Sequence, residues 1–167
     1  YHANEAVMPL QRLHLKNFRL FQDKTFTFSD GVNIILGENG SGKTTVLESL
    51  NVVLTGNSFR AKETKECIHS NKEFYNVSAK GIIKGKDFSL VVENNHNKRL
   101  FSKRMLGEIP VKKGELYFLQ VVLAKNLKMI DGEPEIRREF FNDLMFHVKP
   151  EIKKLHSSYQ KALIQRN

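Results

Sequence analysis

Residues 37–44 have the sequence G-E-N-G-S-G-K-T, a glycine-rich stretch that ends in Lys-Thr. The run before it, Val32–Leu36, is apolar and rich in β-branched residues, which predicts a strand covered on both faces. After it, apolar residues recur at helical spacing from Val46 to Leu54, and Gly56 follows as a helix C-cap. The order strand, glycine loop, helix is that of the P-loop pattern G-x-x-x-x-G-K-[ST], and it predicts an α/β fold.

Each part of the P-loop pattern has a reason in phosphate chemistry. Glycines let the backbone wrap closely, so that N–H groups face phosphate oxygens, and the following helix adds its positive end. Lys43 is expected on the β and γ phosphates of a nucleoside triphosphate, Thr44 beside Mg²⁺, and Thr45 near the α phosphate. An ordinary glycine turn is the alternative. The predicted triphosphate-binding residues are Gly37, Glu38, Asn39, Gly40, Ser41, Gly42, Lys43, Thr44 and Thr45.

Alternating apolar and polar residues predict half-buried strands on both sides of the P-loop. Two such strands precede it, and three further alternating stretches, separated by turn residues, predict an antiparallel meander. Their centres are Leu15, Phe26, Val77, Leu90 and Leu100.

The last third of the chain is predicted to be mainly helical. A second continuous apolar run, Tyr117–Leu123, predicts another buried strand. Pro134 and Pro150 each stand where a helix begins, and apolar residues follow both at helical spacing.

Composition limits the compartment and the class of partner. The chain has 167 residues, with 27 Lys and Arg against 18 Asp and Glu, a net charge of +9 that favours polyanions or serves only solubility. Cys67 is the single cysteine, so an internal disulfide is excluded and a small buried side chain is expected. No apolar run approaches the roughly 20 residues of a membrane helix, and no secretory signal opens the chain. We therefore expect a cytoplasmic protein with no membrane contact, and we take residues 1–7 as a remnant of the expression vector.

Other chemistry finds little support. The histidines lack ligand-like spacing and no serine lies in a nucleophile elbow, so neither a metal site nor a catalytic serine is expected. No apolar run ends in Asp or Asp-Glu, the usual second element of nucleotide hydrolysis, so no catalytic residue is assigned. Four basic pairs either follow a DNA backbone or are solvated surface; they are Lys98-Arg99, Lys103-Arg104, Lys112-Lys113 and Arg137-Arg138.

Four segments beside the P-loop carry a family resemblance. They are Leu13–Arg19 (L-H-L-K-N-F-R), Gly56–Arg60 (G-N-S-F-R), Gly132–Phe140 (G-E-P-E-I-R-R-E-F) and Tyr159–Asn167 (Y-Q-K-A-L-I-Q-R-N). In this order they resemble the start of the SMC/Rad50/RecF class of ABC-type ATPases, and G-N-S-F-R is similar to an element of the RecF family within it.

The resemblance implies the fold and the domain organisation. The fold would be a P-loop NTPase of the ABC-type ATPase head, lobe I, with a mixed sheet, an antiparallel β meander and C-terminal helices. Residues 8–131 would form lobe I, and 132–167 would be helices leading towards an arm domain. The family's Walker B, signature motif, D-loop and switch histidine lie later in its sequence, so this chain resembles an N-terminal fragment that binds ATP without hydrolysing it alone.

The resemblance also implies residues beyond the P-loop. Gln120 resembles the Q-loop glutamine, which with Thr44 would sense Mg²⁺ and the γ phosphate; a polar residue ending a core strand is the alternative. The family commonly has Pro and an acidic residue shortly afterwards, whereas this chain has Leu123–Asn126 (L-A-K-N). Arg60 would lie near the nucleotide or be a surface charge, and Arg19 is a further candidate.

The implied function is ATP-dependent DNA binding in recombinational repair and replication restart, with the SOS response and the nucleoid as its setting. In full-length relatives, slow DNA-dependent ATPases, ATP would drive homodimerisation on gapped or junction DNA, with RecR and RecO as partners. The alternatives are a head fragment of another SMC-like or OLD-type ATPase, or a P-loop nucleotide-binding module that does not act on DNA. The latter would require a base-reading N/TKxD element or a lid with arginines, and neither is found.

Overall fold

The computed structural model describes residues 10–96, 98–112, 121–122, 134–148 and 150–166. The chain divides into two compact units, residues 1–119 and 120–167. The sequence assigned residues 120–131 to the first domain, and most of them lie outside the described residues.

The first unit is built on a six-stranded antiparallel sheet in the order β2-β1-β3-β4-β5-β6. The strands are β1 (Leu10–Phe18), β2 (Phe21–Thr27), β3 (Phe74–Ile83), β4 (Lys86–Asn95), β5 (Lys98–Leu106) and β6 (Ile109–Pro110). The predicted meander is confirmed as β3, β4 and β5. At its first turn Lys84 and Gly85 both have positive φ, 49° and 73°, which suits the right-handed twist of the hairpin.

Period-two patterning places one side of every central strand in the core. α1 (Lys43–Thr55) packs against β1, β3 and β4 on that side, contributing Val46, Val52 and Val53. Phe18 meets Tyr75 edge to face, with ring centroids 5.1 Å apart. The buried sheet residues are Leu13, Leu15, Tyr75, Val77, Ala79, Phe88, Leu90 and Val92.

The predicted strand over Val32–Leu36 is wrong for the described structure. Residues 32–38 have no regular secondary structure, and Val32, Ile34 and Leu36 are 87%, 77% and 86% exposed. A strand covered on both faces needs hydrogen-bonded neighbours, and no described strand pairs with this run. The resemblance implied a mixed sheet, whereas every strand pair of the described sheet is antiparallel.

The second unit contains the two predicted helices, α2 (Pro134–Val148) and α3 (Pro150–Arg166), which pack on each other. Both begin at proline, whose missing N–H is not needed in the first turn. Near the start of α2, Arg138 donates to Glu135 at 3.1 Å. The predicted strand Tyr117–Leu123 lies almost wholly outside the described residues.

Candidate phosphate-binding site

The P-loop occupies the tight turn before α1. Gly40 and Gly42 have φ of +86° and +98°, which side-chain-bearing residues rarely adopt. A Cβ on Gly42 would lie 2.6 Å from Cζ of Phe21, and one on Gly37 would lie 2.6 Å from Oγ of Ser41. Glycine at 42 is therefore favoured both by close packing and by backbone conformation, and at 40 by backbone conformation alone.

The helix that follows leaves its positive end uncapped. Gly42 at the N-cap has no side chain to accept a hydrogen bond, and the first turn of α1 contains no acidic residue. The first N–H groups of a helix have no partner within the helix, so an anion can supply it. This end of α1 has the polarity and the open donors that a phosphate group needs.

The side chain of Lys43 folds back onto the P-loop. Its Nζ donates to the carbonyl oxygens of Gly37 and Glu38, both at 2.7 Å. The ammonium group is thus held across the mouth of the loop by two neutral acceptors. A phosphate oxygen is a stronger, charged acceptor at the same place, so the site fits a phosphoryl ligand.

The two threonines after Lys43 differ in access. The side chain of Thr44 is exposed, whereas Thr45 is only 4% exposed and faces the sheet. Thr44 can therefore present its hydroxyl to a cation beside a bound phosphate. Any contact between Thr45 and an α phosphate would therefore come from its backbone N–H and not from its side chain.

Five residues form a polar cluster around the buried carboxylate of Glu48, which we call the Glu48 cluster: Arg19, Glu48, Ser58, Arg60 and Cys67. Glu48 is fully buried, and its two oxygens accept Arg19 Nη2 at 2.8 Å and Arg19 Nε at 3.1 Å, a bidentate pair. Ser58 Oγ donates at 2.6 Å, Arg60 Nη1 at 3.3 Å and Cys67 Sγ at 3.6 Å. Burial opposes ionisation of Glu48, yet the hydrogen bonds from Arg19 and Ser58 outweigh it and lower its pKa below the ordinary value.

The same contacts change the chemistry of the neighbouring groups. The hydrogen bond to Glu48 raises the pKa of Arg19, so this guanidinium stays charged. Burial raises the pKa of the Cys67 thiol to about 12, which keeps it protonated and unreactive, as the sequence led us to expect of a buried cysteine.

The structure directs Arg60 and Arg19, the two arginines singled out by sequence, to Glu48 rather than into the P-loop. Gln120 lies outside the described residues. Sequence reasoning missed Glu48. The signal was present, because Glu48 falls between Thr45 and Val52 on the face of α1 that turns towards the sheet.

The histidines that the structure describes do not form a metal site. His14 pairs with Asp23 at 2.9 Å, and His69 contacts the carbonyl oxygen of Arg19. Within the described ranges no group of three metal-ligating side chains comes together, and no helix there has the length and apolarity to span a bilayer.

We expect Gly42→Ala to destabilise the fold more than Gly31→Ala. Gly31 has φ +81° with open space around it, so its substitution adds only backbone strain, about 1 kcal/mol. Gly42→Ala adds a clash with the Phe21 ring, for a total of about 2–3 kcal/mol. Urea unfolding of both variants measures the difference, and equal losses would contradict the steric role of Gly42.

We expect Glu48→Gln to lower the free energy of unfolding by about 3 kcal/mol at pH 7, because two arginines lose a buried carboxylate. A depressed pKa in the folded protein stabilises it above the unfolded-state value of 4.5, and this contribution disappears as pH falls below that value. Wild type and variant should therefore converge in urea titrations as the pH falls below 4.5 and through the lowered pKa of Glu48. Glu38→Gln, at an exposed glutamate, is the control and should change stability by less than about 0.5 kcal/mol. A gap that stays constant on acidification would contradict the charge-based account.

Residues 12–165 match the AAA domain family. Curated relatives include the DNA replication and repair proteins RecF of Teredinibacter turnerae and Bacillus cytotoxicus, each 31% identical, over 95% and 96% of this chain. The chain spans 42% and 43% of their lengths.

Solved structures agree in fold. RecF–ATP, a recombination mediator of the RecFOR pathway, superimposes with a TM-score of 0.71 and 23% identity, covering 99% of this chain and 45% of that one. A structure from work on ATP-driven dimerization and DNA-stimulated activation of SMC ATPases gives 0.63 and 20%, covering 81% and 98%. The expected fold, a P-loop ATPase head of the ABC type, is thereby confirmed. The chain belongs to the AAA domain family and, over nearly its whole length, is RecF-like.

Proposed function

We propose that this chain binds ATP at its P-loop as the nucleotide-binding part of a RecF-type DNA replication and repair protein. The observation that carries the proposal is the ring formed by Lys43 and the carbonyl oxygens of Gly37 and Glu38 at the uncapped N-terminus of α1. The relatives named RecF, and the RecF–ATP structure of the same fold, support ATP as the nucleotide.

The residues fit a triphosphate with its magnesium ion. Backbone N–H groups of the loop and of the first turn of α1 would bind phosphate oxygens, and Lys43 would exchange its two carbonyl partners for them. The exposed Thr44 hydroxyl would hold Mg²⁺, with Gln120 as the further ligand that the resemblance implies. The ion would neutralise phosphate charge.

Arg60 remains a candidate for contact with the nucleotide. Its side chain is 45% exposed, and its contact with Glu48, at 3.3 Å, is longer than either contact that Arg19 makes. Arg19 holds Glu48 through two nitrogens and would keep the carboxylate paired if Arg60 left it. Of the two arginines, Arg60 is therefore the one free to exchange.

We expect the chain by itself to bind ATP without turning it over. Hydrolysis needs a carboxylate at the end of a second strand to hold the magnesium ion, together with a group that orients water. The sequence offers no apolar run that ends in such a carboxylate. Turnover belongs to the longer RecF-type protein.

For that longer protein we propose ATP-dependent homodimerisation on gapped or junction DNA, with RecR and RecO as partners. Its setting would be the nucleoid, in recombinational repair and the SOS response. The net charge of +9 supports contact with DNA, as does the SMC structure's association with ATP-driven dimerization and DNA-stimulated activation. Of the basic pairs, Lys103 is exposed on β5, whereas Arg104 is half-buried and donates to Ser102.

Lys43→Ala should weaken Mg-ATP binding by about 10- to 100-fold, because one charge-assisted contact to phosphate is lost. Isothermal titration calorimetry of wild type and variant measures the change. Lys80→Ala removes an exposed lysine on β3 and is the matched control, expected to bind like wild type. Equal affinity of the Lys43 and Lys80 variants would refute the assignment of the site.

DNA binding should fall steeply with salt, because contacts to phosphates release condensed counterions. We expect Lys103→Ala to reduce the slope of log K against log salt by roughly 1, and Lys24→Ala, on β2, to leave it unchanged. Fluorescence anisotropy with a gapped duplex measures both slopes. A flat salt response of the wild type would rule out the basic residues as the DNA surface.

A further inference from the structure

A second polar cavity, of about 580 Å³, lies at the far end of α1. It opens between Gly56, the segment 57–65 and the end of β4, and its volume is within the range of small-molecule sites. α1 has 13 residues and rises 1.5 Å per residue, so about 20 Å separates this cavity from the P-loop. The two sites are therefore distinct.

The cavity is lined by donors suited to an anion. Its walls include Asn57, Lys62, Lys65, Asn94 and His96, together with one carboxylate, that of Glu63. Lys65 is paired with Glu63 at 2.7 Å, whereas no carboxylate of the described chain lies within ion-pair distance of Lys62. The C-terminal end of α1 adds negative potential here, so the lysines and amides must supply the attraction.

Next to two of the lining residues, Thr64 and Asn94, lies the hydroxyl of Tyr75, which does not itself line the cavity. Tyr75 is fully buried, and among the described residues its hydroxyl is the one buried side-chain polar atom without a hydrogen-bond partner. Thr64 and Asn94, which line the cavity, are the polar side chains that approach it. They are bonded to each other instead, Asn94 Nδ2 to Thr64 Oγ1 at 2.9 Å, and Asn94 Oδ1 accepts the N–H of Asn95.

A buried hydroxyl without a partner is unfavourable, and native structures seldom retain one without a further use. A small shift of Thr64 or Asn94 towards a ligand would give the Tyr75 hydroxyl an acceptor. The wall is rigid elsewhere, because Ser58 binds Glu48 and also accepts the N–H groups of Arg60 and Ala61 at 2.9 Å.

We propose that this cavity binds the phosphoryl group of a nucleotide, either free or within a nucleic-acid strand. Lys62 supplies the charge, and His96 and the asparagine amides supply the hydrogen bonds. When the ligand binds, Thr64 or Asn94 shifts and the Tyr75 hydroxyl gains an acceptor. The site does not depend on nucleotide binding at the P-loop.

The test is an NMR titration of the ¹⁵N-labelled chain with three probes: inorganic phosphate, AMP and a ten-nucleotide single-stranded DNA. Amide signals of Asn94 and His96 report the cavity, and those of Gly40 and Gly42 report the P-loop, so the two proposals succeed or fail separately. Shifts at the cavity with AMP support a free nucleotide, and shifts with DNA alone support a strand. Silence at the cavity with all three probes overturns the proposal.

Two variants test the residues. Lys62→Ala should weaken the binding seen at the cavity by about 3- to 10-fold, whereas Lys72→Ala, at an exposed lysine outside the cavity, should not. Tyr75→Phe should leave urea stability unchanged, because the hydroxyl has no partner to lose, and should weaken binding by a similar factor. A Tyr75→Phe variant that binds normally overturns the recruitment of the hydroxyl, and a Lys62→Ala variant that binds normally overturns the anion site.

Discussion

The buried carboxylate of Glu48 is the interaction on which the region around α1 depends. An ionised group without partners would be very unfavourable at this depth, so the surrounding chain is organised to satisfy it. Arg19 comes from the turn between β1 and β2, Ser58 and Arg60 from the segment after α1, and Cys67 from the 3₁₀ turn Thr64–Cys67. One side chain of the P-loop helix thereby fixes three separate segments.

The backbone shows the same dependence. Asn17 and Arg19 have φ of +53° and +52°, a conformation that non-glycine residues adopt only where surrounding contacts hold them. The N–H of Arg19 donates to the carbonyl of Cys67 at 2.7 Å, and that of His69 donates to the carbonyl of Asn17 at 2.8 Å. These bonds keep the turn in the one geometry that directs the Arg19 guanidinium to Glu48. The G-N-S-F-R segment has an equivalent explanation, since its serine and arginine both bind this carboxylate.

Much of the fold could be predicted from local pattern. Period-two alternation identified the central strands, turn residues between alternating stretches identified the meander, and the glycine spacing identified the loop at the start of α1. A run rich in β-branched residues does not reveal which strands would cover it, and so Val32–Leu36 was assigned to a buried strand that the described chain does not form. Spacing placed Glu48 on the same helix face as Thr45 and Val52, but only the folded sheet shows that this face is enclosed. For the arginines, the family resemblance suggested a place near the nucleotide, whereas in the structure both bind the buried carboxylate of Glu48.

The exposed run before the P-loop affects how that loop can work. Its C-terminal side is anchored by α1, but its N-terminal side joins Val32–Leu36, which has no ladder hydrogen bonds in the described structure. No strand pairing fixes these residues in advance, so any backbone freedom that they lose when a phosphate binds would cost about 1–2 kcal/mol per residue fixed. Any strand that pairs with this run would remove that cost in advance. Affinity for a phosphate ligand would in this way depend on the pairing of a β-strand that touches no phosphate.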